Sequence, residues 1–219
     1  MNVKVLICYY SLTGHLHQLA KAEKNGIDSV DGCEGVLRRV KETLSEEVID
    51  KMGARKFQEE MSDIPVCTTD DLIDADAVIF GTPTRFGNMC GQMRQFLDST
   101  GGVWKKKGLV GKVGGVFTGS ATQHGGQEST ILSFHTTMLH HGMIITGLPY
   151  IFDKMNDITE INGCSPYGAS TITGNKAGRN PSEIELEGAR FQGRYIALLT
   201  QALKESRDEI LHEVLRDNT

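Results

Sequence analysis

The sequence is short of the features that mark several large protein classes. It has 5 prolines and 1 tryptophan in 219 residues, so no proline-rich linker divides it. Its 5 cysteines, Cys8, Cys33, Cys67, Cys90 and Cys164, are widely scattered and never spaced as C-x-x-C. A disulfide framework, a zinc ribbon and a cysteine-ligated iron–sulfur cluster are therefore not signalled. No apolar run approaches the roughly 20 residues of a membrane-spanning helix. The start, Met1-Asn2-Val3-Lys4, lacks the pattern of a secretory signal, so the expected address is a reducing cytoplasm. Excess positive charge is missing too. Against 28 Asp+Glu there are 23 Lys+Arg, a net charge of −5, which argues against a nucleic-acid backbone as partner.

Several catalytic signatures are also absent. The chain has no G-x-G, hence no dinucleotide fingerprint, and no P-loop. No serine sits in a G-x-S-x-G elbow. His124, His135, His140 and His141 match no metal-ligand spacing, so no metal is expected.

What the sequence does have is glycine, 25 of 219 residues, above the roughly 7% that is usual. With proline scarce, the excess points to tight backbone positions inside a fold. Short apolar runs alternate with longer stretches compatible with helix, the pattern of an α/β protein whose parallel sheet carries helices on both faces. The strand candidates are residues 3–8, 76–81, 112–117 and 143–148, with a weaker fifth at 36–40. Helices are expected over residues 15–30, 91–98, 127–141 and 182–203. The last is the clearest, with Phe191, Tyr195, Leu198, Leu199 and Ala202 on one stripe behind the start signal Asn180-Pro181-Ser182. Residues 41–66 and 151–180 break the alternation and read as long polar excursions. Residues 204–219 form a charged helical extension with Ile210, Leu211, Val214 and Leu215 on one stripe.

Three glycine-bearing polar loops follow strand candidates. Ser11-Leu12-Thr13-Gly14-His15 precedes a helix, where hydroxyls, backbone N–H groups and the helix dipole suit a phosphate; read alone it also fits a turn with a Ser or Thr cap. Gly81-Thr82-Pro83-Thr84-Arg85-Phe86-Gly87-Asn88 is a stiff loop able to grip the edge of a planar heterocycle, or an ordinary strand-to-helix connection. Thr118-Gly119-Ser120-Ala121-Thr122-Gln123-His124-Gly125-Gly126 is the third. Open α/β sheets bind ligands outside the carboxyl ends of their strands, so three such loops read as one site.

With Gln92-Met93-Arg94, Gly125-Gly126-Gln127-Glu128, His140-His141-Gly142-Met143 and Pro166-Tyr167-Gly168-Ala169, these loops closely resemble the WrbA family of flavodoxin-like NAD(P)H:quinone oxidoreductases, from Val3 to about Leu203. The resemblance implies a flavodoxin-like, doubly wound sheet of five parallel strands with an insertion, about 151–180, after the last strand. It implies non-covalent FMN, with the phosphate on Ser11, Leu12, Thr13, Gly14, His15 and Leu16. The isoalloxazine would lie between Pro83, Thr84, Arg85, Phe86, Gly87 and Asn88 on one side and Ser120, Ala121, Thr122, Gln123, Gly125 and Gly126 on the other. His140 matches a flavin-side histidine and is the candidate catalytic group; Trp104 matches an aromatic bordering the quinone pocket. A homotetramer with shared active sites is implied, with NADH or NADPH as co-substrate and a quinone as acceptor. The family often has tyrosine where this chain has Thr13. A one-electron carrier of flavodoxin type is the alternative.

Overall fold

The computed structural model describes residues 2–216, apart from the side chain of Leu215. Five positions of a parallel sheet run in the order β2 (Cys33–Arg39), β1 (Val3–Tyr9), β3 (Ala77–Arg85), β5 (Val113–Ser120), then an outer edge. The crossovers carry α1 (His15–Asp28), the short helices α2 (Glu46–Lys51), α3 (Arg55–Glu60) and α4 (Thr69–Asp74), then α5 (Gly91–Asp98), α6 (Gly101–Lys105) and α7 (Gln127–His140). The long helix α8 (Glu183–Lys204) closes the fold, followed by α9 (Arg207–Arg216).

Side-chain parity builds two cores. Leu6, Cys8, Val78, Phe80 and Val116 point to one face, where Met93, Leu97, Phe134 and Met138 cover them. Their strand neighbours Val5, Ile7, Ile79 and Phe117 point to the other, under Leu16, Leu19 and Ile27 of α1 and Ala189 and Ile196 of α8. Alternation along a strand sends successive side chains to opposite faces, so runs apolar on both parities must be buried on both.

On the second face α1 and α8 meet backbone to backbone. A Cβ at Gly26 would stand 1.9 Å from Arg190 O, and one at Gly193 would stand 2.2 Å from Glu23 O. Two glycines, one on each helix, permit this approach. It seals the Glu23 carboxyl in the interface, where neither oxygen finds a hydrogen-bond partner.

The outer edge is shared by two short strands. β6 (Ile144–Ile145) pairs with the start of β5, at Val113 and Gly114, and β7 (Ser170–Ile172) pairs with its end, at Thr118 to Ser120. Between them the chain leaves the sheet after Thr146, whose N–H still reaches Gly114 O, and returns at Ala169, whose carbonyl accepts from Thr118 N. Gly147 lets the loop close, since a Cβ there would be 2.1 Å from Pro166 O. The segment read as following the last strand thus supplies half of the fifth position.

Two further details depart from the sequence pattern. Residues 41–66 hold α2 and α3 rather than a bare excursion. β3 runs on to Arg85 and turns back through β4 (Asn88–Met89) as a hairpin. Its two turn residues, Phe86 (φ 53) and Gly87 (φ 75), both have positive φ, the backbone that matches the twist of a tight hairpin. The C-terminal extension is a separate helix, which packs Arg207 and Leu211 against Gly111; residues 217–219 and the Leu215 side chain lie outside the described part.

Candidate functional site

The carboxyl ends of β1, β3, β5 and β7 surround a cleft of about 370 Å³. Ser11, Leu12, Thr13, His15 and Leu16 line it from the first loop, Pro83, Thr84 and Arg85 from the hairpin, and Ser120, Ala121, Thr122 and Gly125 from the third loop. Three segments proposed from sequence therefore meet in one place.

The first loop, expected from sequence to cradle a phosphate, lies where β1 passes into α1. Gly14 begins the helix with φ 80 and brings no side-chain cap of its own, which leaves the N–H groups of His15 and Leu16 at the helix start without an intrahelical partner. Only glycine fits there, for a Cβ would stand 2.8 Å from the Phe57 ring. The Ser11 hydroxyl accepts from His17 N at 3.3 Å. Gln58 donates to the carbonyls of Ser11 and Leu12, both at 2.9 Å, which fixes the loop from the side of α3. His15 is buried beneath it, with Nδ1 3.0 Å from Thr13 Oγ1. Burial lowers its pKa, and backbone groups of Arg179, Ala177 and Thr13 act on the ring in the opposite sense.

The third loop repeats the device. α7 begins at Gly126, again left-handed (φ 91) and again without a side-chain cap, and a Cβ there would meet the Gly87 backbone at 2.9 Å. This contact seats the third loop against the hairpin turn. Thr130 donates to Thr84 Oγ1 at 2.7 Å. Gln127 donates to Ser120 Oγ and accepts from Ser170 Oγ, both at 2.8 Å.

The remaining proposed residues sit elsewhere. Gly14, Gly87 and Gly126 shape the backbone around the cleft, while Phe86 is fully exposed and, like Asn88 and Gln123, does not line it. His140 and Trp104 do not face this cleft within one chain. They share a second, more open cleft of about 480 Å³ between α5, α6 and α7, with Arg94, Asp98 and Thr137. His140 and Trp104 are exposed there, whereas His141 is buried, its Nε2 3.0 Å from Thr100 Oγ1.

Gly119, part of the third loop, also lines the first cleft, as do Met52, Thr173, Gly174, Lys176 and Ala177, which no sequence motif singled out. The last four follow β7. A β-branched triplet ahead of Gly174 is the same strand-then-glycine signal as in the other loops, but three residues are too few to show a period. Among the described residues no group of three His, Cys, Asp or Glu could hold a metal ion, and no helix is long and apolar enough to cross a membrane.

The donor set suits a flavin nucleotide: the α1 start with its hydroxyls for a phosphate, and a hairpin edge for a planar ring. Comparisons with known proteins agree. The family described as NADPH-dependent FMN reductase matches residues 1–157. A protein of Geobacter metallireducens named NAD(P)H dehydrogenase (quinone) is 63% identical over 202 residues, covering 92% of this chain and 100% of that protein. One of the same name from Geotalea daltonii is 60% identical over 205 residues, covering 94% and 100%. Among solved structures, a WrbA-like flavodoxin from Agrobacterium tumefaciens superposes with a TM-score of 0.64 at 24% identity, covering 92% of this chain and 99% of that one. Flavodoxin 1 from Bacillus cereus does so with a TM-score of 0.56 at 12% identity, covering 89% and 97%. At those identities the structures establish the flavodoxin-like fold.

Proposed function

The chain belongs to the NADPH-dependent FMN reductase family, and on that footing we propose that it is an FMN-dependent NAD(P)H:quinone oxidoreductase of the WrbA type. The observation that carries this reading is the convergence of the loop at the start of α1, the Pro83–Arg85 edge of the hairpin and the Ser120–Gly125 loop on one cleft at the carboxyl end of the sheet. FMN bound there without a covalent link supplies hydride chemistry, from NADH or NADPH to a quinone, that the protein's own side chains do not possess.

The chain's residues bind and orient. The Ser11 and Thr13 hydroxyls, with the N–H groups of His15 and Leu16, receive the phosphate; the dipole of α1 adds to their attraction. The hairpin from Pro83 to Asn88 and the loop from Ser120 to Gly126 flank the ring. Their edges are held by Thr130 on Thr84 and by Gln127 on Ser120.

His140 and Trp104 are assigned to a site completed by another subunit of a homotetramer, because within one chain they face a separate cleft. Across that boundary His140 polarises the flavin or guides the quinone proton. Exposed Phe86, Trp104, Tyr150, Ile151 and Ile158 supply apolar surface for assembly. Residues 1–203 form the FMN-binding unit and 204–219 an extension to it. Five free cysteines fit a cytoplasmic setting.

Steady-state kinetics with NADH or NADPH and benzoquinone test the reading. FMN-dependent turnover well above a free-flavin blank is expected, and turnover no greater than the blank rejects it. Sedimentation of the holoprotein checks the tetramer, and His140→Ala should lower kcat while leaving FMN bound.

A further inference from the structure

The cradle from Ser11 to Leu16 contains no lysine or arginine, yet the structure brings a cation to it from far along the chain. Lys176 and Ala177 line the same cleft as Ser11, Thr13 and His15. They belong to a loop, residues 173–179, that is tied down at both ends. Thr173 N donates to Ser120 O at 2.8 Å, and Arg179 N donates back to Thr173 O at 2.8 Å. The Arg179 guanidinium also pairs at 3.0 Å with Glu185, a carboxylate with no exposed surface that also accepts from Thr171 Oγ1 and Gly163 N, both at 2.8 Å. The buried His15 ring stands against the backbone of Ala177 and Arg179, linking the loop to the cradle.

Between these anchors Lys176 (φ 56) and Ala177 (φ 54) both adopt left-handed backbone, which side chains with a Cβ disfavour. Such strain persists where the surroundings over-determine it. Lys176 is exposed and makes no ion pair with any described residue. Arg85, the other cation on the cleft, lies on the hairpin and donates to Thr84 O at 3.0 Å.

We infer, resting on the reading of this cleft as a flavin-nucleotide site, that residues 173–179 form a phosphate clamp in which the Lys176 ammonium recognises the phosphomonoester of the bound nucleotide. A phosphomonoester carries about 1.5 to 2 negative charges at neutral pH, and the neutral donors of the cradle balance none of them formally. A clamp already ordered by the Glu185–Arg179 pair pays little further entropy on binding. Lys176 thereby makes the site select the phosphorylated flavin over the bare one.

The test is titration of the flavin-free protein with FMN and with riboflavin, read by flavin fluorescence at low and high salt, for wild type, Lys176→Gln and Lys176→Arg. Both substitutions keep a long side chain on the same backbone. Lys176→Gln should weaken FMN binding about tenfold, leave riboflavin binding unchanged and flatten the salt dependence for FMN. Lys176→Arg should restore all three. Equal losses for FMN and riboflavin, or unchanged FMN affinity, would overturn the clamp. So would an effect confined to the KM for NADPH, whose 2′-phosphate is the other phosphomonoester available. A wild-type protein that binds neither flavin would reject the flavin reading itself, and the clamp with it.

Discussion

Gln127 holds Ser120 through a buried amide, its Nε2 donating to Ser120 Oγ at 2.8 Å while its Oε1 accepts from Ser170 Oγ at 2.8 Å. One side chain thereby joins the start of α7, the end of β5 and β7. The third loop of the cleft inherits its position from this junction.

Replacing Gln127 by Leu would leave two buried hydroxyls without this partner. Each lost buried hydrogen bond costs about 1–3 kcal/mol when a partner is stranded. Gln127→Leu should therefore lower the urea midpoint and weaken FMN binding together. Unchanged FMN affinity in a destabilised variant would show that the junction supports the fold and not the site.

Gly14→Ala attacks the cradle directly. The new methyl meets Phe57 at 2.8 Å and must adopt φ 80, a strain of about 1–3 kcal/mol. Flavin titration should show FMN affinity falling at least tenfold; affinity within twofold of wild type would rule out this N-terminus as the phosphate seat.

Glu23 gives a pH signature. Burial raises its pKa well above the ordinary carboxyl value, and both oxygens lack partners. Unfolded, the group loses its proton near pH 4.3; folded, it keeps it. Stability should therefore fall as pH rises from about 4.3 toward the folded pKa, by about 1.4 kcal/mol per unit for this one group. Glu23→Gln removes the slope, so its advantage over wild type should widen from pH 5 to pH 8 in thermal melts. Parallel stability curves would show that Glu23 is ionised in the fold.

Lys112 gives the opposite slope at higher pH. Its buried ammonium donates to Leu72 O at 3.1 Å and Ile73 O at 2.5 Å, closing the C-terminal turn of α4, and burial lowers its pKa to about 8. Unfolded, it titrates near 10.4. Between about 8 and 10.4 the folded chain holds fewer protons, so this group's contribution to stability grows with pH across that window. Lys112→Met should cost about 1–3 kcal/mol at pH 7, from the stranded carbonyls, and should lack this rise in denaturant curves taken from pH 8 to 10.

The sheet could be read from sequence because its strands carry apolar side chains on both parities: Val5 and Ile7 serve one core, Leu6 and Cys8 the other. α5 is found on its expected residues, and α1, α7 and α8 within two residues of theirs. The first and third loops of the cleft announced themselves by glycine and hydroxyl residues just past a strand. What stayed hidden was short or non-local. α2 and α3 have six residues each, too few turns to display a helical stripe, and β7 is defined by pairing with a strand about fifty residues earlier. The 83–88 segment looked like a loop because Pro83 interrupts the pattern; in the sheet, β3 continues past Pro83 to Arg85 before the turn at Phe86 and Gly87. Lys176 could not be found by spacing, since it reaches the cradle through the Glu185–Arg179 anchor. The distance of His140 and Trp104 from the cleft is likewise a property of the folded chain, invisible in a motif.

Hydride transfer from NAD(P)H to a flavin in this cleft is read by a visible spectrum of the FMN-loaded protein titrated anaerobically with NADH and, separately, with NADPH. At least one coenzyme should bleach the flavin absorbance in a single two-electron step, and benzoquinone should then restore it. A loaded protein whose spectrum neither coenzyme changes would contradict hydride transfer in this cleft.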